Sequence, residues 1–241
     1  MTFTRRDALK IGGMVAFAGV FQGFSSGKDM PLRDAKEAFD HILVGSSNLE
    51  AAIDWFEQKT GVRPAVGGRH PGRGTRNALV SLGKPHYFEL LAPDPEQPNV
   101  DTARLRVFRS LSTPAPYTWA ARTHHMEATR QAAEKAGLKF EGPTPGSRKR
   151  PDGRTLEWSS LALADDFDGL LPFFIQWGPN AVHPSEDSPQ GCTLHSFQLV
   201  SPNAKKVEST LKLFGIAANV AEGGHSKLIV SLNTPRGVVQ L

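Results

Sequence analysis

Two short apolar runs each carry an ionisable side chain where hydrocarbon would be easier to bury. His41 stands in Phe39-Asp40-His41-Ile42-Leu43-Val44, and Glu89 in Tyr87-Phe88-Glu89-Leu90-Leu91. Side chains alternate across a strand, so Phe39, His41 and Leu43 are expected on one face of the first run, and Tyr87, Glu89 and Leu91 on one face of the second. An imidazole or carboxylate set among such neighbours is costly to bury without a partner. His41 and Glu89 can satisfy one another, or both can satisfy a metal ion. The far end of the chain repeats the arrangement, with His195 in Thr193-Leu194-His195-Ser196-Phe197 and Gln240 in Val238-Val239-Gln240-Leu241.

The elements that must position these residues recur along the chain. After the run holding His41 comes Gly45-Ser46-Ser47, then a stretch from Leu49 to Lys59 with Leu49, Ile53 and Phe56 at helical spacing. Ser47 and Glu50 make a capping box for its first turn, and Gly61 supplies a left-handed stop. The order returns with Thr193 to Val200 as a strand, Ser201 as a cap, Ala204 to Phe214 as a helix, and Gly215-Ile216 matching Gly61-Val62. The interval from His41 to Gly61 equals that from His195 to Gly215. Counted back from Gly137, the same interval reaches Tyr117 and predicts a middle helix from His124 to Ala136, capped by Thr123. Each helix is followed by strand-like runs with turn punctuation: Thr75 to Leu82 and His86 to Leu91, Leu156 to Leu163 and Leu171 to Trp177, then His225 to Leu232 and Val238 to Leu241. The expected architecture is α+β, with a β-α-β-β-β unit used three times over residues 38–93, 115–180 and 191–241. Proline-rich linkers near Pro93 to Pro98 and Pro179 to Pro189 would join the units. In the middle unit Tyr117 replaces the histidine and Ile175 stands at the glutamate position.

This repeat, with polar groups on its first and last strands, resembles the vicinal oxygen chelate superfamily. Phe39-Asp40-His41, Gly74-Thr75-Arg76-Asn77, Tyr87-Phe88-Glu89, Pro151-Asp152-Gly153 and Leu171-Pro172-Phe173-Phe174-Ile175 resemble its glyoxalase-like domain family in particular. The resemblance covers residues 38–241 and implies curled mixed sheets around a divalent metal. By position it implies His41, Glu89 and His195 as ligands, with Gln240 where the superfamily often has glutamate. Two imidazoles and one carboxylate with open positions suit zinc, iron, nickel or manganese. Such an ion would chelate adjacent substrate oxygens and act as a Lewis acid in lyase, isomerase or dioxygenase chemistry, with Glu89 as the catalytic base. A metal-free small-molecule binding or sequestering protein on the same fold is the alternative.

The loop Gly67-Gly68-Arg69-His70-Pro71-Gly72-Arg73-Gly74 would either fold over the cavity or stay solvated. Arg69, Arg73, Arg76 and, further on, Arg148 are candidates to hold an anionic substrate group, with Asn77 and Tyr117 as further substrate contacts. The loop lacks the strand-to-helix setting of a phosphate-binding loop, which argues against a nucleotide. His86, His124 and His125 are expected at the surface, and Trp119, Trp158 and Trp177 in the core.

With 241 residues the chain can bury a sizeable core. Its net charge of +4 is not gathered into a basic stripe with aromatics between, which excludes nucleic acid as the expected partner; Arg148-Lys149-Arg150 reads as a solvated face. A lone cysteine, Cys192, excludes an internal disulfide and a thiolate zinc cage. Thr4-Arg5-Arg6-Asp7-Ala8-Leu9-Lys10 precedes an uncharged stretch to Phe24, too short and glycine-rich for a comfortable membrane span. Residues 1–30 resemble a twin-arginine export signal, with Ala8 where that motif usually has Phe. The resemblance implies a periplasmic or secreted protein, or a membrane-anchored one if the signal is not cleaved. The expected partner is a small and anionic substrate, and a homodimer is compatible with the fold.

Overall fold

The computed structural model describes residues 31–150 and 152–241. The expected export signal at residues 1–30 lies outside them. A short lead-in, β1 (Arg33–Asp34) and α1 (Ala35–Ala38), opens onto the first unit: β2 (Phe39–Gly45), α2 (Leu49–Thr60), β3 (Ala65–His70), β4 (Thr75–Ser81) and β5 (Tyr87–Pro93). The connection holds a helix not foreseen from sequence, α3 (Ala103–Ser110), started by Thr102, whose hydroxyl accepts from the Leu105 amide. The second unit is β6 (Ala115–Arg122), α4 (Met126–Lys135), β7 (Phe140–Lys149), β8 (Thr155–Leu163) and β9 (Phe173–Trp177). After the four-residue α5 (Pro184–Asp187) follow β10 (Thr193–Ser201), α6 (Ala204–Leu213), β11 (Ile216–Ala217), β12 (Val220–Glu222), β13 (Lys227–Thr234) and β14 (Gly237–Gln240). Among the described residues no helix is long and apolar enough to cross a membrane.

Local chemistry sets the helix ends. Asn48, not Ser47, caps α2: its side chain accepts from the Ala51 amide at 2.9 Å. Gly61 closes the helix in the left-handed region at φ 80°, returning its N–H to the Glu57 carbonyl. Between these stops Leu49, Ala52, Ile53 and Phe56 form the buried stripe.

Eight strands in the order β3-β4-β5-β2-β6-β9-β8-β7 make one strongly curled mixed sheet. The order reads the same from either edge: β2 and β6 pair antiparallel at the centre, and each has its own unit's last strand parallel beside it. The curl brings the two edges together, where the Arg148 guanidinium on β7 donates to the Gly67 carbonyl on β3. Arg148 is thereby buried rather than part of a solvated face. Gly67 to His70 likewise form strand, not loop.

The third segment keeps the element order and changes the pairing. Its sheet runs β12-β10-β13-β14, so β14 lies against β13 and never beside β10. Two units, not three, therefore share the arrangement in which first and last strands are neighbours. This smaller sheet covers the outer, helix-bearing face of the large one, with the Phe197 ring 5.3 Å from Phe39 and 4.9 Å from Trp119.

A β-bulge corrects the alternation expected for the first strand. Phe39 pairs with Ala121 and His41 with Ala120, leaving Asp40 as the extra residue. Phe39 consequently joins Ile42 and Val44 in the main core, while Leu43 packs inside the curl with Leu91, Phe108, Tyr117 and Phe173. Phe108 reaches this inner cluster only because residue 45 is glycine: a Cβ there would lie 2.4 Å from its ring. Gly45→Ala should lower stability by about 1–3 kcal/mol, as overpacking does. Urea denaturation of the variant, with Gly45→Ala/Phe108→Leu recovering part of the loss, checks this.

Candidate functional site

The bulge turns Asp40 and His41 towards one place. His41 Nδ1 lies 2.8 Å from Asp40 Oδ1. Asp40 Oδ2 accepts from Trp177 Nε1 at 3.1 Å and faces His183 Nε2 at 3.3 Å, with the Arg122 guanidinium 3.8 Å away. His183 accepts the Ser185 amide at its Nδ1, so its proton sits on Nε2 and points at Asp40. Burial alone would raise the Asp40 carboxyl, but hydrogen bonds from His183 and His41 hold it well below the usual carboxylate range. An ionised Asp40 fixes the proton of a neutral His41 on Nδ1 and leaves a lone pair on Nε2.

That lone pair faces Glu89. Nε2 and Glu89 Oε2 stand 3.6 Å apart, too far for a hydrogen bond. The other carboxylate oxygen, Oε1, accepts from Asn77 Nδ2 at 2.5 Å, while Asn77 Oδ1 is buried without a partner among the described residues. Asn77, Leu79, Glu89 and Leu91 sit on facing positions of β4 and β5, which places Asn77 beside the carboxylate. Tyr87 stacks on the His41 ring at 4.3 Å, and Phe173 meets its edge at 5.5 Å. Burial first, then Glu89 and Asp40, push the Tyr87 hydroxyl well above its ordinary value, so it stays neutral.

The other expected ligands are elsewhere. His195 is exposed on β10, and Gln240 is exposed on β14 of the separate sheet. The reason is the changed pairing, which removes β14 from β10 and sets that sheet behind the large one. Among the described residues no three His, Cys, Asp or Glu side chains gather as a metal cage. His41 and Glu89 meet; His195 and Gln240 do not join them.

Of the expected substrate contacts, Tyr117 lines the inner cluster, and Asn77 and Arg148 are buried near Glu89. Arg69 turns outward to Asp94 and Glu96. Arg76, one residue from Asn77 and thus on the other face of β4, grips Glu50 of α2 with two bonds of 2.7 Å. His124 and His125 are exposed, whereas His86 is half-buried and bonded to the Phe39 carbonyl at 2.8 Å. Trp119 is core, but Trp158 and Trp177 are half-buried, 6.0 Å apart, and continue the wall beside Tyr87. Asp40, His183 and Trp177 were not legible as site residues. Alternation put Asp40 on the far face, and His183 lies in a proline-rich connection with no periodicity.

Residues 39–214 match the family model described as glyoxalase-like domain. The chain belongs to the glyoxalase-like domain family. With that family it falls in the vicinal oxygen chelate superfamily, and its fold is of the kind that supports metal-dependent small-molecule chemistry. Among solved structures, a hypothetical protein from Staphylococcus aureus is 19% identical with a TM-score of 0.62, over 84% of this chain and 97% of that one. Methylmalonyl-CoA epimerase from Mycobacterium tuberculosis is 17% identical with a TM-score of 0.42, over 59% of this chain and 87% of that one. No curated protein matches the chain. At 19% identity the likeness to the Staphylococcus aureus protein speaks to the fold alone.

The family implies a divalent metal, and the His41–Glu89 pair can be tested for one. Two donors about 2.1 Å from a tetrahedral ion stand about 3.4 Å apart. The observed separation is 3.6 Å between a lone pair and a carboxylate oxygen. Asp40 behind the imidazole and Asn77 behind the carboxylate are the outer partners that such ligands carry. The pair thus fits two positions of a metal site, and among the described residues no third anionic or imidazole donor joins them.

Proposed function

We propose that the chain is an enzyme acting on a small molecule inside the curled sheet, with a divalent metal held by His41 and Glu89. The observation that carries this reading is the pair of atoms, Nε2 and Oε2, facing each other at 3.6 Å with no hydrogen bond between them. Zinc, iron, nickel or manganese bound there would supply Lewis-acid stabilisation of oxyanionic species in lyase, isomerase or dioxygenase chemistry. Asp40 keeps the His41 lone pair pointing inward, Asn77 orients Glu89, and Tyr87, Phe173 and Trp177 keep water from the pair. With two protein donors, most of the coordination sphere is left to substrate and solvent, which favours ligands bearing adjacent oxygens. Metal analysis and Co(II) titration test this: about one ion per chain is expected for the wild type and little for His41→Ala or Glu89→Gln. A wild-type chain that takes up no ion removes the metal from the reading.

The second unit favours a second reading. It gives the interior aromatic side chains such as Tyr117 and Phe173, with Tyr117 and Ile175 standing where the first unit has His41 and Glu89. A metal-free sequestering protein would keep its ligand affinity unchanged in a chelator. The arginine pair and apolar stretch before Phe24 support export by the twin-arginine route, which fractionation of cells making the full chain, with Arg5→Lys/Arg6→Lys as control, would test.

A further inference from the structure

We infer that Arg73 and Arg104 form an oxyanion-binding subsite at the rim of the curled sheet, so the substrate carries a carboxylate, phosphate or similar anionic group. This deepens the proposed function and rests on its reading of the interior as the substrate site.

The two residues come from separate elements brought together by packing. Arg73 sits in the turn between β3 and β4, and Arg104 in the first turn of α3. Gly74, at φ 67°, lets that turn lie directly on α3: a Cβ there would be 2.8 Å from Leu105 and from Val100. Among the described residues neither guanidinium is spent on a carboxylate. Arg63, Arg69, Arg76, Arg130 and Arg150 each pair with an acid. Among the described residues, Arg73 has one 3.3 Å bond to the Pro145 carbonyl, and Arg104 has no hydrogen bond or ion pair. Both lie over aromatic rings instead, Arg73 6.0 Å from the centre of Trp158 and Arg104 5.7 Å from that of Tyr117. Stacking holds the planar groups while leaving their N–H edges for a ligand.

Those rings lead to the proposed reaction centre along both walls. Trp158 touches Trp177, which touches Tyr87, which stacks on His41. Tyr117 shares the inner cluster with Phe173, whose edge meets the other side of His41. The arginines repel one another: burial and then Arg104 lower the Arg73 guanidinium from its ordinary value. Half-buried like charges without counter-charges are unfavourable when empty and relieved by an oxyanion, which two guanidinium forks can bind. An anionic head at the rim would direct the rest of an aromatic or oxygen-bearing molecule along the walls to His41 and Glu89.

Calorimetric titration with phenylphosphonate, phenylacetate and neutral benzyl alcohol tests this. Either or both anions should bind the wild-type chain, more weakly as chloride rises, and benzyl alcohol should bind far more weakly. Whichever anion binds should lose about tenfold in affinity in Arg73→Gln and in Arg104→Gln. Far-UV circular dichroism checks that the variants fold, and preference between the two anions tells phosphoryl from carboxylate. Affinity unchanged in both variants, no anion binding to the wild type, or benzyl alcohol binding as tightly as the anions would overturn the subsite. Metal uptake in the same preparations keeps the two ideas apart. Anion binding that fails beside intact uptake removes only the subsite, and uptake that fails beside arginine-dependent anion binding removes only the metal.

Discussion

Asp40→Ala should unfold at far lower urea than the wild type, with a loss of about 3–5 kcal/mol. The carboxylate is fully buried and is the shared acceptor for His41, His183 and Trp177, all of which would be left facing a void. Asp40→Asn keeps the shape and one acceptor, so its loss should be smaller, while its hold on the His41 tautomer is weakened. That variant should retain most of the stability and lose about 10–100-fold in metal affinity. A matched pair of urea curves and Co(II) titrations separates the two roles. If Asp40→Asn binds metal like the wild type, Asp40 is structural only. The pH dependence has a definite sign. The folded Asp40 carboxyl lies below its ordinary value of 3.8, so its stabilisation is present above that pH and is lost as pH falls towards the folded value. The extra acid sensitivity of the wild type should therefore start below about pH 4 and be missing from Asp40→Asn.

His70 should govern a different window. It is buried, its Nδ1 bonded to Thr75 Oγ1 at 2.9 Å and its ring 6.0 Å from Trp158. Burial above all lowers it from 6.5 to about 4, opposed by Glu89 and helped by Arg148, Arg73 and Arg104. An unfolded chain thus takes up a proton at pH values where the folded one refuses it. The neutral, folded form has its full advantage above pH 6.5 and loses it as pH falls to about 4. The difference corresponds to about 3 kcal/mol. Urea denaturation at pH 7.5 and pH 4.5 should show the wild type losing about that much more than His70→Gln. Parallel curves for the two proteins would show that His70 titrates normally in the fold.

Much of the first two units was legible because capping residues and glycine stops mark helix ends locally. Gly61 and Gly137 both take left-handed conformations at the ends of their helices. The meeting of His41 with Glu89 was legible too, since each stood alone among apolar inward neighbours. The rest depended on facts that spacing does not encode. Strand pairing in the third segment is decided by which sheet it packs on, so matching intervals at His195 and Gly215 did not carry matching neighbours. The bulge at Asp40 reversed the face of Phe39, and with it the assignment of the residue next to the histidine. Arg76 and Arg73 are equally basic in sequence, but Glu50 engages the first while the second, among the described residues, meets a tryptophan ring and a carbonyl.

The contact of Phe197 with Phe39 and Trp119 gives the last fifty residues a task apart from chemistry. They act as a lining for the back of the molecule, sealing rings that sit directly behind the histidine strand. A chain cut short after Gly191 would offer that greasy back to water and tend to stick to its own kind, with every group of the interior pair still in its sequence.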